Sequence, residues 1–107
     1  MKKAMTRTRI VQTLKKDLPY LRKKYGVEKI ALYGSFAKGA HTRKSDVDIL
    51  VQLGKPLGLE FVSLADHLEE LLGRKVDLVT FEMMRRGLKD PRYRHIAADV
   101  QRTLSYV

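Results

Sequence analysis

Asp46 and Asp48 flank a single valine at the head of an apolar run, Ile49-Leu50-Val51, and a glycine–serine pair, Gly34-Ser35, precedes them with ten residues between. Alternate residues of a strand point to the same face, so the two carboxylates stand side by side. In water they repel. A divalent cation removes that repulsion, and Mg²⁺ takes hard oxygen ligands from one or two carboxylates together with substrate phosphates. Gly34 has no side chain, so a ligand can approach its backbone closely. Ser35 adds a hydroxyl, and a helical turn opening at Phe36 would turn free N–H groups toward an anion. These residue types in this order suit a metal-bound phosphate ester.

The elements that must hold them are legible on either side. Glu28 to Tyr33 reads as a first strand and Asp46 to Leu53 as a second, with a basic loop between them. In the second strand Val47, Ile49 and Val51 share one face, and Asp46, Asp48 and Leu50 share the other. Upstream, Ile10, Val11, Leu14, Leu18 and Leu21 recur at helical spacing. Pro19 predicts a break or kink near Asp17 and Leu18, with Asp17 capping a second short helix. Gly26 reads as the stop. The spacing predicts a helix over Leu59 to Leu72, ended by Gly73, and a third strand over Lys75 to Thr80. Strand, helix, strand predicts a crossover and a parallel pair. Met83, Met84 and Leu88 suggest a short helix ending near Gly87 or Asp90, and Ile96, Ala97, Val100 and Leu104 recur at helical spacing beyond Pro91. The expectation is one α/β domain over residues 1–107, a small mixed β-sheet flanked by helices.

Gly-Ser, the loop length, Asp-x-Asp and a later strand carboxylate, Asp77 in Lys75-Val76-Asp77-Leu78-Val79, together form a specific pattern. It resembles that of the minimal nucleotidyltransferase (MNT) domains of the DNA polymerase beta-like superfamily. Ala37-Lys38-Gly39 is similar to the family's Ala-Arg-Gly, with lysine for the usual arginine, and Ser45 before Asp46 also matches. The resemblance implies a polymerase beta palm-like fold with the first two strands antiparallel. It implies transfer of a nucleoside monophosphate from a nucleoside triphosphate to a hydroxyl. Asp46, Asp48 and Asp77 would be the catalytic carboxylates and metal ligands for two Mg²⁺ ions. Gly34 and Ser35 would hold the β- and γ-phosphates, with Lys38, Arg43 and Lys44 passing near the triphosphate. Standalone domains of this length resemble the antitoxin half of HEPN–MNT toxin–antitoxin pairs. That implies ATP as substrate and a tyrosine of a cognate HEPN ribonuclease toxin as acceptor. Stoichiometric capture of the toxin with little catalysis stays open beside it. Nucleotidylation of a small molecule is disfavoured, since no second domain is visible to form its pocket.

The chain has 107 residues and a formal charge of +10, unevenly spread: net +8 over Met1–Lys24, −2 over Tyr25–Glu82 and +4 over Met83–Val107. The excess sits on the flanks, where it would attract a polyanion or an acidic protein; nucleic acid is a possible partner though not the favoured one. With no cysteine there is neither a disulfide framework nor a thiolate metal site. No run approaches the ~18 apolar residues of a membrane span. The basic N-terminus lacks an apolar continuation and does not read as a signal peptide. A cytoplasmic location is expected. His41, His67 and His95 lack ligand spacing and read as surface residues, Met83 and Met84 as core or partner-facing filler, and Tyr106 as packing.

Overall fold

The computed structural model describes residues 6–34, 37, 46–89, 91, 98 and 104–107. A long helix, α1 (Arg7–Tyr25), leads into β1 (Val27–Tyr33). Then come β2 (Val47–Leu53), α2 (Glu60–Leu72), β3 (Val76–Thr80), α3 (Phe81–Lys89) and a two-residue β4 (Ser105–Tyr106). The four strands form one sheet in the order β3-β2-β1-β4. β1 pairs antiparallel with β2 and with β4, and β2 pairs parallel with β3. The sheet is therefore mixed, as expected.

Local chemistry sets the element ends. Thr6 caps α1, its hydroxyl accepting from the Arg9 N–H at 3.2 Å. Gly26 closes that helix in the left-handed region (φ 70°), donating to the Arg22 carbonyl at 3.1 Å. Gly73 closes α2 in the same way (φ 67°), donating to the Glu69 carbonyl at 2.8 Å. A residue with a Cβ pays strain in this conformation and glycine does not.

Pro19 does not break α1, which runs unbroken through it. Proline deletes the bond to the carbonyl four residues back, on Lys15. Both Pro19 and Lys15 are exposed, so that carbonyl lies on the water side, where solvent serves it. Asp17 accordingly caps nothing. Its carboxylate meets His67 Nε2 of α2 at 2.7 Å, which corrects the reading of His67 as a free surface residue. Beyond α3 only Ala98 of the expected terminal helix is described as helical. Leu104 precedes an extended segment on the β1 edge, where the Val107 N–H reaches the Ile30 carbonyl at 3.0 Å.

The sheet has two unlike faces. Ile30, Leu32, Val47, Ile49, Val51 and Leu78 pack against Ile10, Leu14 and Leu21 of α1 and Leu64, Leu68 and Leu72 of α2. Each fully buried leucine contributes about 2 kcal/mol through lost apolar exposure. Val27 joins this face because the register slips between Val27 and Lys29, inserting one residue and restoring parity. The other face carries a smaller cluster, Ala31, Tyr33 and Leu50, met by Val79, Phe81, Met84 and Leu104. Met84 is thus the filler expected of it, whereas Met83 is exposed. Among the described residues no helix is long and apolar enough to cross a membrane.

Candidate active site

The strand starts bring the carboxylates together. The Val47 N–H donates to the Lys75 carbonyl at 2.9 Å, which ties the beginnings of β2 and β3. Glu69 of α2 reinforces this by accepting the Val76 N–H at 3.0 Å. In that register Asp48 lies directly beside Asp77, and on its other side directly opposite Tyr33. Paired residues on adjacent strands share a face. Tyr33, Asp48 and Asp77 therefore form one row across β1, β2 and β3, with strands about 4.8 Å apart. Asp46 stands just before β2, about two residue rises, ~6.6 Å, from Asp48. Asp48 is half-buried, while Asp46 and Asp77 are exposed.

Gly34 follows β1 with φ 72° and faces the same row. A Cβ built there would collide with Asp48 Oδ2 and come within 3.2 Å of its Cγ. The missing side chain is thus the space the Asp48 carboxylate occupies. Glycine at this position answers two needs at once, a left-handed backbone and room for an acid.

Tyr33 is the member of the row that sequence reading missed. It is only 8% exposed. Burial first, then the negative charges of Asp77 and Asp48, push its phenol well above the ordinary tyrosine range. The phenol therefore stays protonated, a neutral wall beside the two acids. Its signal was its place: the last residue of the strand before Gly34, hidden inside a run that reads as plain apolar filler.

Of the residues singled out from the sequence, Gly34, Asp46, Asp48 and Asp77 converge at one end of the sheet. Ser35, Lys38, Arg43 and Lys44, together with His41, Ser45 and His95, lie outside the described residues. Tyr106 sits on β4 opposite Ala31, more than half exposed, and stacks on Phe81 with centroids 6.1 Å apart and planes 9° from parallel. An open cavity of about 490 Å³, walled by Lys55, Leu57, Phe61, Thr80, Phe81 and Arg85 among others, lies at the opposite end of β2 and β3 and does not include the acids.

Among the described residues no three acidic or imidazole groups close a cage around an ion unaided. The donor set nevertheless fits Mg²⁺ carried in with a nucleotide, because that ion keeps few protein ligands and takes the remainder from phosphate oxygens and water. Hard carboxylate oxygens, two of them accessible, are the ligands it prefers.

Comparison with known proteins places this arrangement. The family model described as "Nucleotidyltransferase domain" matches residues 14–102. A Methanocaldococcus jannaschii protein, provisionally named a protein adenylyltransferase, is 40% identical over 103 residues, covering 95% of this chain and 98% of its own. A solved structure described provisionally as a minimal nucleotidyltransferase superposes with a TM-score of 0.67 at 28% identity, covering 96% of this chain and 97% of that one. A toxin–antitoxin crystal structure with AMP-PNP gives 0.52 at 29% identity, over 76% of this chain and 59% of that one. With the fold, the row of acids and these likenesses in agreement, the chain belongs to the nucleotidyltransferase domain family, in its minimal form.

Proposed function

We propose that the protein is a Mg²⁺-dependent protein adenylyltransferase that serves as an antitoxin, moving AMP from ATP to a tyrosine hydroxyl of a cognate HEPN-type ribonuclease toxin. The observation that carries this reading is the register of Asp48 with Asp77, with Gly34 cut away to seat the Asp48 carboxylate. The likeness to relatives named protein adenylyltransferases, and to a toxin–antitoxin complex with an ATP analogue, supports the class of reaction and of partner.

In this reading the attacking oxygen is the acceptor hydroxyl, the bond formed is O–P to the α-phosphorus, and the bond broken releases pyrophosphate. Asp46 and Asp48 would hold both ions and Asp77 one of them; when bound, such ions would offset the charge that develops on the entering and leaving oxygens of an in-line displacement. Asp77 stands at the exposed margin of the row, and in this reading it would take the proton of the arriving acceptor. Gly34 and Ser35 would line the β- and γ-phosphates, and Lys38, Arg43 and Lys44 would offset their charge. The exposed acids suit a partner protein that brings its own acceptor and closes the site from outside.

The test is an intact-mass measurement on the protein mixed with its partner, ATP and Mg²⁺, beside an Asp46→Asn, Asp48→Asn double variant. The expected result is a partner heavier by one or more AMP units, absent with the variant. A stable complex without any mass change would replace catalysis by stoichiometric capture. Absence of both complex and modification would remove the antitoxin reading.

A further inference from the structure

The outer side of α1 is a cationic surface that the proposed reaction does not use. Arg9, Lys15, Lys16, Arg22 and Lys23 are all exposed. At 100° per residue Arg9, Lys16 and Lys23 fall in one line along the helix, and Lys15 and Arg22 in a second beside it. The longer line spans about 21 Å, at about 10.5 Å per seven residues. Between the lines stand only the uncharged Thr8, Gln12 and Pro19. The one acid of α1, Asp17, is turned the other way and held by His67. Among the described residues none of the five cations makes an ion pair. The remaining basic groups of the helix are engaged, Arg7 with the Ser105 hydroxyl and Lys24 over the Tyr20 and Tyr25 rings.

We propose that this face of α1 binds the phosphate backbone of duplex DNA. Several physical facts favour that occupant. Heat adaptation multiplies charges of both signs, yet this arc has no acid. A protein partner would want aromatic or apolar anchors, and interfaces are depleted in lysine; this arc offers none of the former and three of the latter. Single strands want aromatic stacking platforms. Tyr20, at the margin, is already occupied by His67, their rings 5.0 Å apart. The A-form groove of duplex RNA is too deep and narrow for a helix to approach, whereas B-DNA admits one. B-DNA also carries one charge per about 1.7 Å of axis, so a 21 Å line meets more phosphates than it has cations. The neighbouring α2 contains no lysine or arginine and exposes Glu60, Asp66 and Glu70, which confines a polyanion to α1. Both helices lie on the sheet face opposite the row of acids, so DNA and a protein acceptor would not compete. The inference is independent of the acceptor assigned above.

The experiment uses the full chain and a fluorescent random-sequence duplex, read by anisotropy over about 50 to 200 mM salt. Five phosphate contacts predict a log–log slope of about −4.5, or ~500-fold weaker binding across that range. A Lys15→Gln, Lys16→Gln, Arg22→Gln, Lys23→Gln variant removes four contacts and should flatten the slope by about 3.6 relative to the parent, whatever other basic segments add. Circular dichroism checks that it folds, and the Lys15→Arg, Lys16→Arg, Lys23→Arg variant should bind like the parent. An unchanged slope in the glutamine variant overturns the proposal. So does tighter binding to single strands or to duplex RNA, or salt-sensitive self-association by light scattering with no DNA binding.

Discussion

Replacing Gly34 by alanine separates two costs that the structure superimposes. The first is conformational: at φ 72° a residue with a Cβ is strained, by about 1–2 kcal/mol. The second is steric, because the new methyl occupies the position of Asp48 Oδ2. The carboxylate must rotate off its preferred rotamer, adding about 1 kcal/mol. Gly73 is the internal control. It has nearly the same dihedral, φ 67°, but nothing within 4 Å of a built Cβ. Gly73→Ala should therefore cost only the first term, lowering Tm by about 4–8 °C for a chain of this size. Gly34→Ala should cost about 2–3 kcal/mol and lower it by about 8–12 °C. The larger difference lies in activity. Displacing a reacting-site group by about 1 Å costs on the order of 100-fold in rate, so AMP transfer to the partner should fall by about that factor in Gly34→Ala and stay at the parental rate in Gly73→Ala. Paired thermal melts and intact-mass time courses read both quantities. Equal melting losses together with a parental transfer rate for Gly34→Ala would refute the argument that this glycine exists to seat an acid.

Two other perturbations test the surroundings of the site. Tyr33→Phe should leave stability near pH 7 almost unchanged but flatten its decline in alkali. The raised phenol keeps its proton in the fold while the unfolded chain loses one above about pH 10, so the native state binds more protons there. Stability then falls with pH by up to about 1.4 kcal/mol per unit; urea titrations in chelator between neutral and alkaline pH that show the same slope for parent and variant would contradict this. Asp17→Ala should cost about 1.5–3 kcal/mol by leaving His67 without its half-buried partner between α1 and α2. Urea unfolding that shows no loss would mean water takes over that bond.

Much of this was legible because strand parity is exact. One count of two along Asp46–Val51 assigns Val47, Ile49 and Val51 to the helix side and Asp48 and Leu50 to the other, and the two apolar clusters divide in that way. Glycines in left-handed stops at Gly26 and Gly73 were legible for an equally local reason. What parity within one strand does not contain is the pairing between strands. Tyr33 acquires its place only through its register with Asp48, and the slip at Val27–Lys29 that keeps β1 in phase leaves no mark in composition. The bond between Asp17 and His67 joins residues 50 positions apart, so no local pattern announces it. β4 is two residues long, too short for any periodicity to declare. Pro19 does not break α1 because apolar residues on both sides of it, Leu14 and Leu21, are buried against the sheet and hold the helix together, and that packing is a tertiary fact.

These successes and failures share one cause, which also explains how the sheet keeps its acids apart from the basic face of α1. The sheet is a divider whose two sides are addressed by odd and even positions. Apolar residues of one parity require helices to cover them, and once α1 and α2 do so, their outer surfaces are free to carry charge without reaching the acids. Residues of the other parity are left with light cover from α3 and β4, so Asp48 can be half-buried while Asp77 beside it stays exposed. A one-residue insertion between Val47 and Asp48 would exchange the sides, sending the acid into the leucines of α1 and α2. The spacing of Asp46, Val47 and Asp48 therefore cannot vary, and this is the physical reason why a pattern of two acids around one apolar residue carries more information than either acid alone.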